Sequence, residues 1–141
     1  MIQQPNMLPI FGEKLSTYQL AQEYVVDSCG WRFVVPAGLV IDGASAPWFA
    51  WSFGFLPDGL HRAGALVHDW LYALKGVICR CPACKPLTRK ECDGVFHDLM
   101  VRAGVQAKRA GIMHCAVRWF GWLPWSRAVG PRIEPLRYQI S

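Results

Sequence analysis

The sequence predicts an α+β fold: a small N-terminal antiparallel sheet packed on a core of about three helices, with extended arms at both ends. Three observations carry that expectation. Two runs rich in β-branched and aromatic residues, Glu23 to Ser28 and Trp31 to Val35, flank the turn pair Cys29-Gly30, which is the pattern of a hairpin. From Asp58 onward, apolar residues recur at helical spacing in three successive stretches, each giving one buried face. Thr88-Arg89-Lys90-Glu91 is a capping box, in which a hydroxyl and a carboxylate satisfy the open amides of a helix start.

The chain has 141 residues, room for one domain with one core. Apolar residues make up 52% of it, a content that excludes a disordered chain. No P-loop, GxGxxG, internal repeat or low-complexity run is present, and no apolar run approaches the ~20 residues of a membrane span. Net charge is +5, and from Val101 onward seven basic residues (Arg102, Lys108, Arg109, Arg118, Arg127, Arg132, Arg137) stand against the single acid Glu134. That balance suits an anionic partner such as phospholipid, nucleic acid or an acidic protein surface, and it also serves plain solubility. Met1 to Pro5 has neither a basic n-region nor a long apolar core, so the expectation is synthesis in a cytoplasm without export by a signal peptide of its own.

Along the chain, residues 1–20 mix Pro, Gln, Asn and Gly and read as an irregular N-terminal arm. Residues 21–47 hold the two hairpin strands, a third short strand at Leu39-Val40-Ile41, and the loop Asp42-Gly43-Ala44-Ser45-Ala46-Pro47. Small residues let a backbone approach a ligand closely, and Asp42 and Ser45 add oxygen donors; a tight turn closed by Asp42 accounts for the same residues. Trp48 to Pro57 carries five aromatics in ten residues, either core, a lid over a groove, or an exposed patch. The helical core spans 58–121. The first helix runs from Asp58, its N-cap, to Lys75, with Gly76 beyond and Leu60, Ala63, Val67, Leu71 and Leu74 as the buried stripe. The second begins at Arg89 and buries Cys92, Val95, Phe96, Leu99 and Ala103. The third runs from Gln106 to Phe120 with Ala110, Met113, Val117 and Phe120 on one side. Ala107, Gly111 and Cys115 leave a small-residue strip for close helix contact. Gly121-Trp122-Leu123-Pro124-Trp125 ends the third helix, and residues 122–141 form a C-terminal tail whose final segment, Gly130 to Ser141, has two prolines and reads as extended.

Four features bear on chemistry. Val67-His68-Asp69-Trp70-Leu71-Tyr72 offers a base, a carboxylate and a phenol, with His68 and Tyr72 on one helix face; surface polar residues on a helix turn explain it equally. Cys79, Cys81, Cys84 and Cys92 crowd a cysteine-rich insertion at 76–88 and its helix. They suit structural zinc or one or two disulfides. Asp93 and His97 stand four apart; His61 is a further site candidate or a surface histidine, and His114 reads as a core or boundary histidine rather than a ligand. Trp119, Trp122 and Trp125, beside Arg118 and Arg127, suit a water–lipid boundary or a protein interface, with core packing as the ordinary alternative.

Asp42-Gly43-Ala44-Ser45-x-Pro47, His68-Asp69-x-Leu71-Tyr72 and Asp93-x-x-Phe96-x-x-x-Met100 together resemble a family of small phage and prophage proteins of unassigned function. The resemblance covers about Val35 to Gly121, makes the cysteine cluster an insertion, and leaves His61 and His97 outside the family pattern. It implies synthesis in the cytoplasm of a bacterial host, partners among other phage virion proteins and incorporation in the virion.

The His68-Asp69-x-x-Tyr72 helix followed by Asp93 is, more distantly, similar to the active-site helices of phospholipase A₂. That similarity implies His68 as general base, Asp69 as a calcium ligand, Asp93 as the carboxylate orienting the imidazole, and Tyr72 as its support. The Gly/Cys-rich calcium loop of those enzymes is absent; Asp42 and its neighbouring carbonyls would have to replace it, with Ser45 near the substrate. The reading that follows is a calcium-dependent lipid ester hydrolase acting on the host envelope, with Trp119, Trp122 and Trp125 on an anionic membrane surface and no sequence-specific nucleic-acid binding. The alternative is a non-enzymatic virion protein, tail or capsid-associated, in which the same residues form a structural network. A third possibility, a peptidoglycan amidase or peptidase with zinc at His68 and Asp69, lacks an obvious third protein ligand.

Overall fold

A computed structural model describes residues 2–9, 17–42, 60, 62–78 and 85–127. The 43–47 part of the loop with Ser45, the aromatic run 48–57, Asp58, His61, Cys79, Cys81, Cys84 and the tail from 128 onward lie outside the described residues.

The architecture is α+β, with two small antiparallel sheets set on a helical core. β1 (Met7–Pro9), β2 (Thr17–Leu20) and β5 (Val40–Asp42) form one sheet in the order β1-β2-β5, and β3 (Tyr24–Ser28) and β4 (Trp31–Val35) form the other. The hairpin is the one expected. Tyr24 pairs with Val35 and Ser28 with Trp31, and Cys29 and Gly30 between them both take positive φ, 52° and 81°. Successive left-handed residues are what a two-residue turn needs to match strand twist. Alternation does the rest: β3 buries Tyr24, Val26 and Ser28, while Val25 and Asp27 face outward.

The first twenty residues depart from the expectation of an irregular arm. They supply β1 and β2, and Thr17 to Gln19 pairs with Asp42 to Val40, so the third short strand joins the arm's sheet rather than the hairpin. The signal was weak because β1 contains Pro9, tolerated on an edge strand where one side of the backbone needs no partner. Ahead of β1, the Gln3 carbonyl accepts the Tyr24 hydroxyl at 2.7 Å. The Gln4 amide both accepts from Ala63 N–H at 3.1 Å and donates to Leu60 O at 3.0 Å.

Among the described residues, four helices follow. α1 spans Arg62–Ala73, α2 Arg89–Arg102, α3 Ala107–Phe120 and the short α4 Trp122–Arg127. α1 starts later than expected. Leu60 lies in the turn before it and is exposed rather than part of the buried stripe, and Gln4 satisfies an amide of the first turn. The capping box of α2 forms as read: Glu91 N–H donates to Thr88 Oγ1 at 3.2 Å, and Thr88 N–H donates to Glu91 Oε2 at 3.4 Å. Such a cap contributes about 1 kcal/mol. The tail begins with a short helix, since α4 follows α3 through Gly121; the stretch from Gly130 expected to be extended lies outside the described residues.

Leu20, Tyr24, Val26, Phe33 and Val35 from the strands pack with Ala63, Leu66, Val67, Trp70 and Leu71 of α1 and Cys92, Val95 and Leu99 of α2. Each large apolar side chain buried there contributes about 1.5–3 kcal/mol. A second cluster, Phe96 and Met100 of α2 with Ala110 and Met113 of α3, closes the other seam. Phe120 is exposed, and the strip at Ala107, Gly111 and Cys115 does not form a close helix contact, since a side chain at Gly111 would meet open space. The close approach is elsewhere: a Cβ at Gly64 of α1 would stand 3.2 Å from the Phe96 carbonyl of α2.

Candidate functional site

Asp93 is the centre. It sits on the second turn of α2, its side chain is wholly buried, and four side chains from three helices converge on it. From α1, His68 Nε2 lies 2.8 Å from Oδ1 and the Tyr72 hydroxyl donates to the same oxygen at 2.5 Å. From α3, Arg118 Nη1 donates to Oδ2 at 2.7 Å. From α2 itself, Arg89 Nη1 stands 3.6 Å from Oδ2. The local reason is helical period. His68 and Tyr72 are one turn apart on α1, as are Arg89 and Asp93 on α2, so each pair shares a face, and α1 and α2 pack against each other.

A buried carboxylate without partners would be too costly to keep ionised. Burial pushes the Asp93 pKa up, but hydrogen bonds from His68, Tyr72 and Arg118 outweigh it and hold the carboxyl below its usual range. Burial disfavours a charge on His68, yet the Asp69 and Asp93 carboxylates together hold its pKa above the ordinary histidine value. Burial and then the Asp93 carboxylate push the Tyr72 phenol upward, so it stays a donor.

These partners assign the imidazole tautomer. Asp93 accepts only, so in the neutral ring Nε2 carries the hydrogen and Nδ1 keeps its lone pair. Nδ1 lies 3.9 Å from Asp69 Oδ1, too long for a hydrogen bond. Asp69 is half-exposed and His68 nearly buried, at 48% and 10% of their side-chain surfaces. The arrangement is a carboxylate-oriented histidine with one nitrogen free to take a proton.

His68, Asp93, Tyr72 and Asp69 are thus brought together as the sequence suggested. Asp42 ends β5 opposite Thr17, and its side chain, like Ser45, lies outside the described residues. Among the described residues no group of three or more His, Cys, Asp or Glu is placed to hold a metal ion. Calcium takes six to eight oxygens, and Asp69 alone does not fit it. Cys92 is a free thiol in the core between α1 and α2, where burial and the Asp93 and Glu91 carboxylates push its pKa up to about 12.

The tryptophans divide. Trp119 and Trp122 are exposed, whereas Trp125 packs at the core edge, its ring 5.1 Å from that of Tyr72. Trp125 thus follows the core-packing alternative and supplies an apolar contact to Tyr72.

Three site residues escaped the sequence reading. Arg118 and Arg89 hold Asp93, and Arg89 also donates to the carbonyls of Val117 and Arg118 at 3.2 and 3.1 Å, fastening the end of α3. Gly121 is the third: a Cβ there would overlap the Tyr72 hydroxyl and the Val117 carbonyl. The i, i+4 spacing of Arg89 and Asp93 was a usable signal; nothing in sequence linked Arg118 to either.

No curated protein and no solved structure matches the chain. A family model described as a protein of unknown function, DUF1353, matches residues 18–117. It begins well before Val35, so most of β2 and the whole hairpin fall inside the matched region with α1, α2 and most of α3, while Arg118, Gly121 and α4 lie beyond it. The chain is a member of the DUF1353 family.

Proposed function

We propose that this chain is a hydrolase in which His68 activates water for attack on a carboxylic ester, with a phage-encoded lipid esterase acting on the host envelope as the specific form. The observation that carries the reading is the 2.8 Å contact of His68 Nε2 with a buried, ionised Asp93, which leaves Nδ1 as the free base. Nδ1 takes a proton from water as the oxygen bonds to the ester carbonyl carbon. The tetrahedral intermediate then collapses, and the imidazolium returns the proton to the departing alcohol. A base of this kind contributes about 10²–10⁴ in rate when a carboxylate holds its tautomer. Asp93 and Tyr72 position the ring, and Arg118 and Arg89 keep Asp93 charged.

The lipid substrate rests on the similarity to phospholipase A₂ and on the surface beside the site. Trp119, Phe120, Trp122 and Leu123 are exposed around the α3–α4 junction, with Arg127 at the end of α4. Exposed aromatic residues with a neighbouring cation suit a lipid headgroup boundary.

A second reading is favoured by one observation: Asp93 has no exposed surface and is engaged from three helices. In that reading the chain is a virion component and the network only holds the helices together. Fatty-acid release from mixed anionic liposomes separates the two, measured with calcium and with chelator for wild type and His68→Gln. Release by wild type that is lost in a folded His68→Gln supports the hydrolase, and the calcium arm decides whether a cation assists. Absence of release by folded wild type in both arms overturns it in favour of the structural role.

A further inference from the structure

Two histidines outside the Asp93 network face each other across the α2–α3 seam. The rings of His97 and His114 have centroids 5.1 Å apart and planes inclined by 55°, and both residues are half-buried. His97 is one helical turn beyond Asp93 on α2, and His114 is one turn before Arg118 on α3. The pair therefore sits one turn from the Asp93–Arg118 ion pair, between the same two helices.

We propose that His97 and His114 form a cross-helix binding site for a borderline divalent transition-metal ion of the zinc, nickel and copper class. Each imidazole gives one nitrogen and solvent completes the shell. A tetrahedral ion ~2.1 Å from one nitrogen of each ring would place the two centroids about 5 Å apart, the spacing observed. Imidazole is a preferred ligand for this class of ion. Burial, and then the neighbouring His97, hold the His114 pKa below the ordinary histidine value, which favours the neutral ring that ligates. Asp98, next to His97, is committed elsewhere: its Oδ2 accepts from Ser28 at 2.6 Å and from Arg102 at 3.3 Å. Among the described residues no third His, Cys, Asp or Glu completes a cluster with the pair. The affinity is therefore that of a two-ligand chelate, micromolar rather than the tighter grip of a closed four-ligand site. A bound ion would clamp α2 to α3 beside Asp93. The proposal does not depend on the hydrolase reading.

A centroid distance of this size also suits a bare ring pair, so the test must detect chelation. Nickel is titrated into the full chain and line broadening of the histidine ring protons is followed by NMR, with His97→Ala and His114→Ala as assignment and test variants. In wild type both resonances broaden together at micromolar nickel. In either variant the remaining ring requires at least ~10-fold more nickel, because the second nitrogen no longer acts intramolecularly. Equal nickel dependence of the remaining ring in the variants, or broadening of wild type only at millimolar nickel, overturns the site. The paired variants His97→Gln and His114→Gln, which keep polar volume at the seam, replace any alanine variant whose circular dichroism shows it unfolded.

Discussion

The Arg118–Asp93 and Arg32–Asp27 pairs have nearly equal lengths, 2.7 and 2.8 Å. The first joins α3 to α2 with the carboxylate wholly buried and the arginine 31% exposed; the second joins β4 to β3 with both side chains more than half exposed. Length does not distinguish them, but solvent does. Water and salt screen the hairpin pair, so its geometry carries little stability. The Asp93 carboxylate has given up water, and its charge is tolerable only because His68, Tyr72, Arg118 and Arg89 surround it. The contrast also locates chemistry: the buried network holds a histidine in one tautomer, and the exposed pair positions nothing.

The sharpest way to break the contrast is to remove the central carboxylate. Asp93→Ala should cost about 3–5 kcal/mol, the loss that follows when a buried pair loses one member, read by urea unfolding. Arg118→Met comes next at about 1.5–3 kcal/mol, since Asp93 loses its charged hydrogen bond but keeps Arg89 nearby. Tyr72→Phe should cost about 1–2 kcal/mol, leaving Oδ1 with His68 alone. Arg32→Ala should leave the melting temperature unchanged within reproducibility; a loss comparable to that of Arg118→Met would refute the exposure argument.

The pH dependence sharpens the same comparison. Asp93 has a depressed folded pKa, so its contribution is present above the unfolded carboxyl value of about 3.9 and is lost as pH falls through the folded value. Asp93→Asn should flatten that acid limb. His68 has a raised folded pKa, so its contribution is full below the unfolded value of about 6.5 and is lost as pH rises through the folded one. His68→Gln should remove that decline. If His68 is also the base in an esterase, kcat/KM must rise with pH through the same raised pKa, because only the neutral ring accepts a proton.

Local rules carried part of the fold and of the site into the sequence. Cys29-Gly30 announced the hairpin because Gly30 takes a positive φ without steric cost between two β-rich runs; Cys29 adopts φ 52° there without being an Asn or Asp. Thr88 and Glu91 announced the start of α2 because each answers the other's open amide. His68 and Tyr72 could be placed on one face from their spacing. The strands at Met7 and Thr17 were missed because each is short and is defined by a partner far along the chain. Gln4 at the start of α1 was missed for the same reason, since its role exists only once the arm lies against the helix.

What the sequence by itself determined is therefore what neighbours within one helical turn or one hairpin decide: the turn, the cap, the period of the buried stripes and the pairing of His68 with Tyr72. Only the tertiary structure decided that Arg118 and Arg89 answer Asp93, that Trp125 covers Tyr72 while Trp119 and Trp122 stay exposed, and that His97 meets His114. Those contacts join groups on different elements, and no spacing in the chain encodes a distance that packing alone sets.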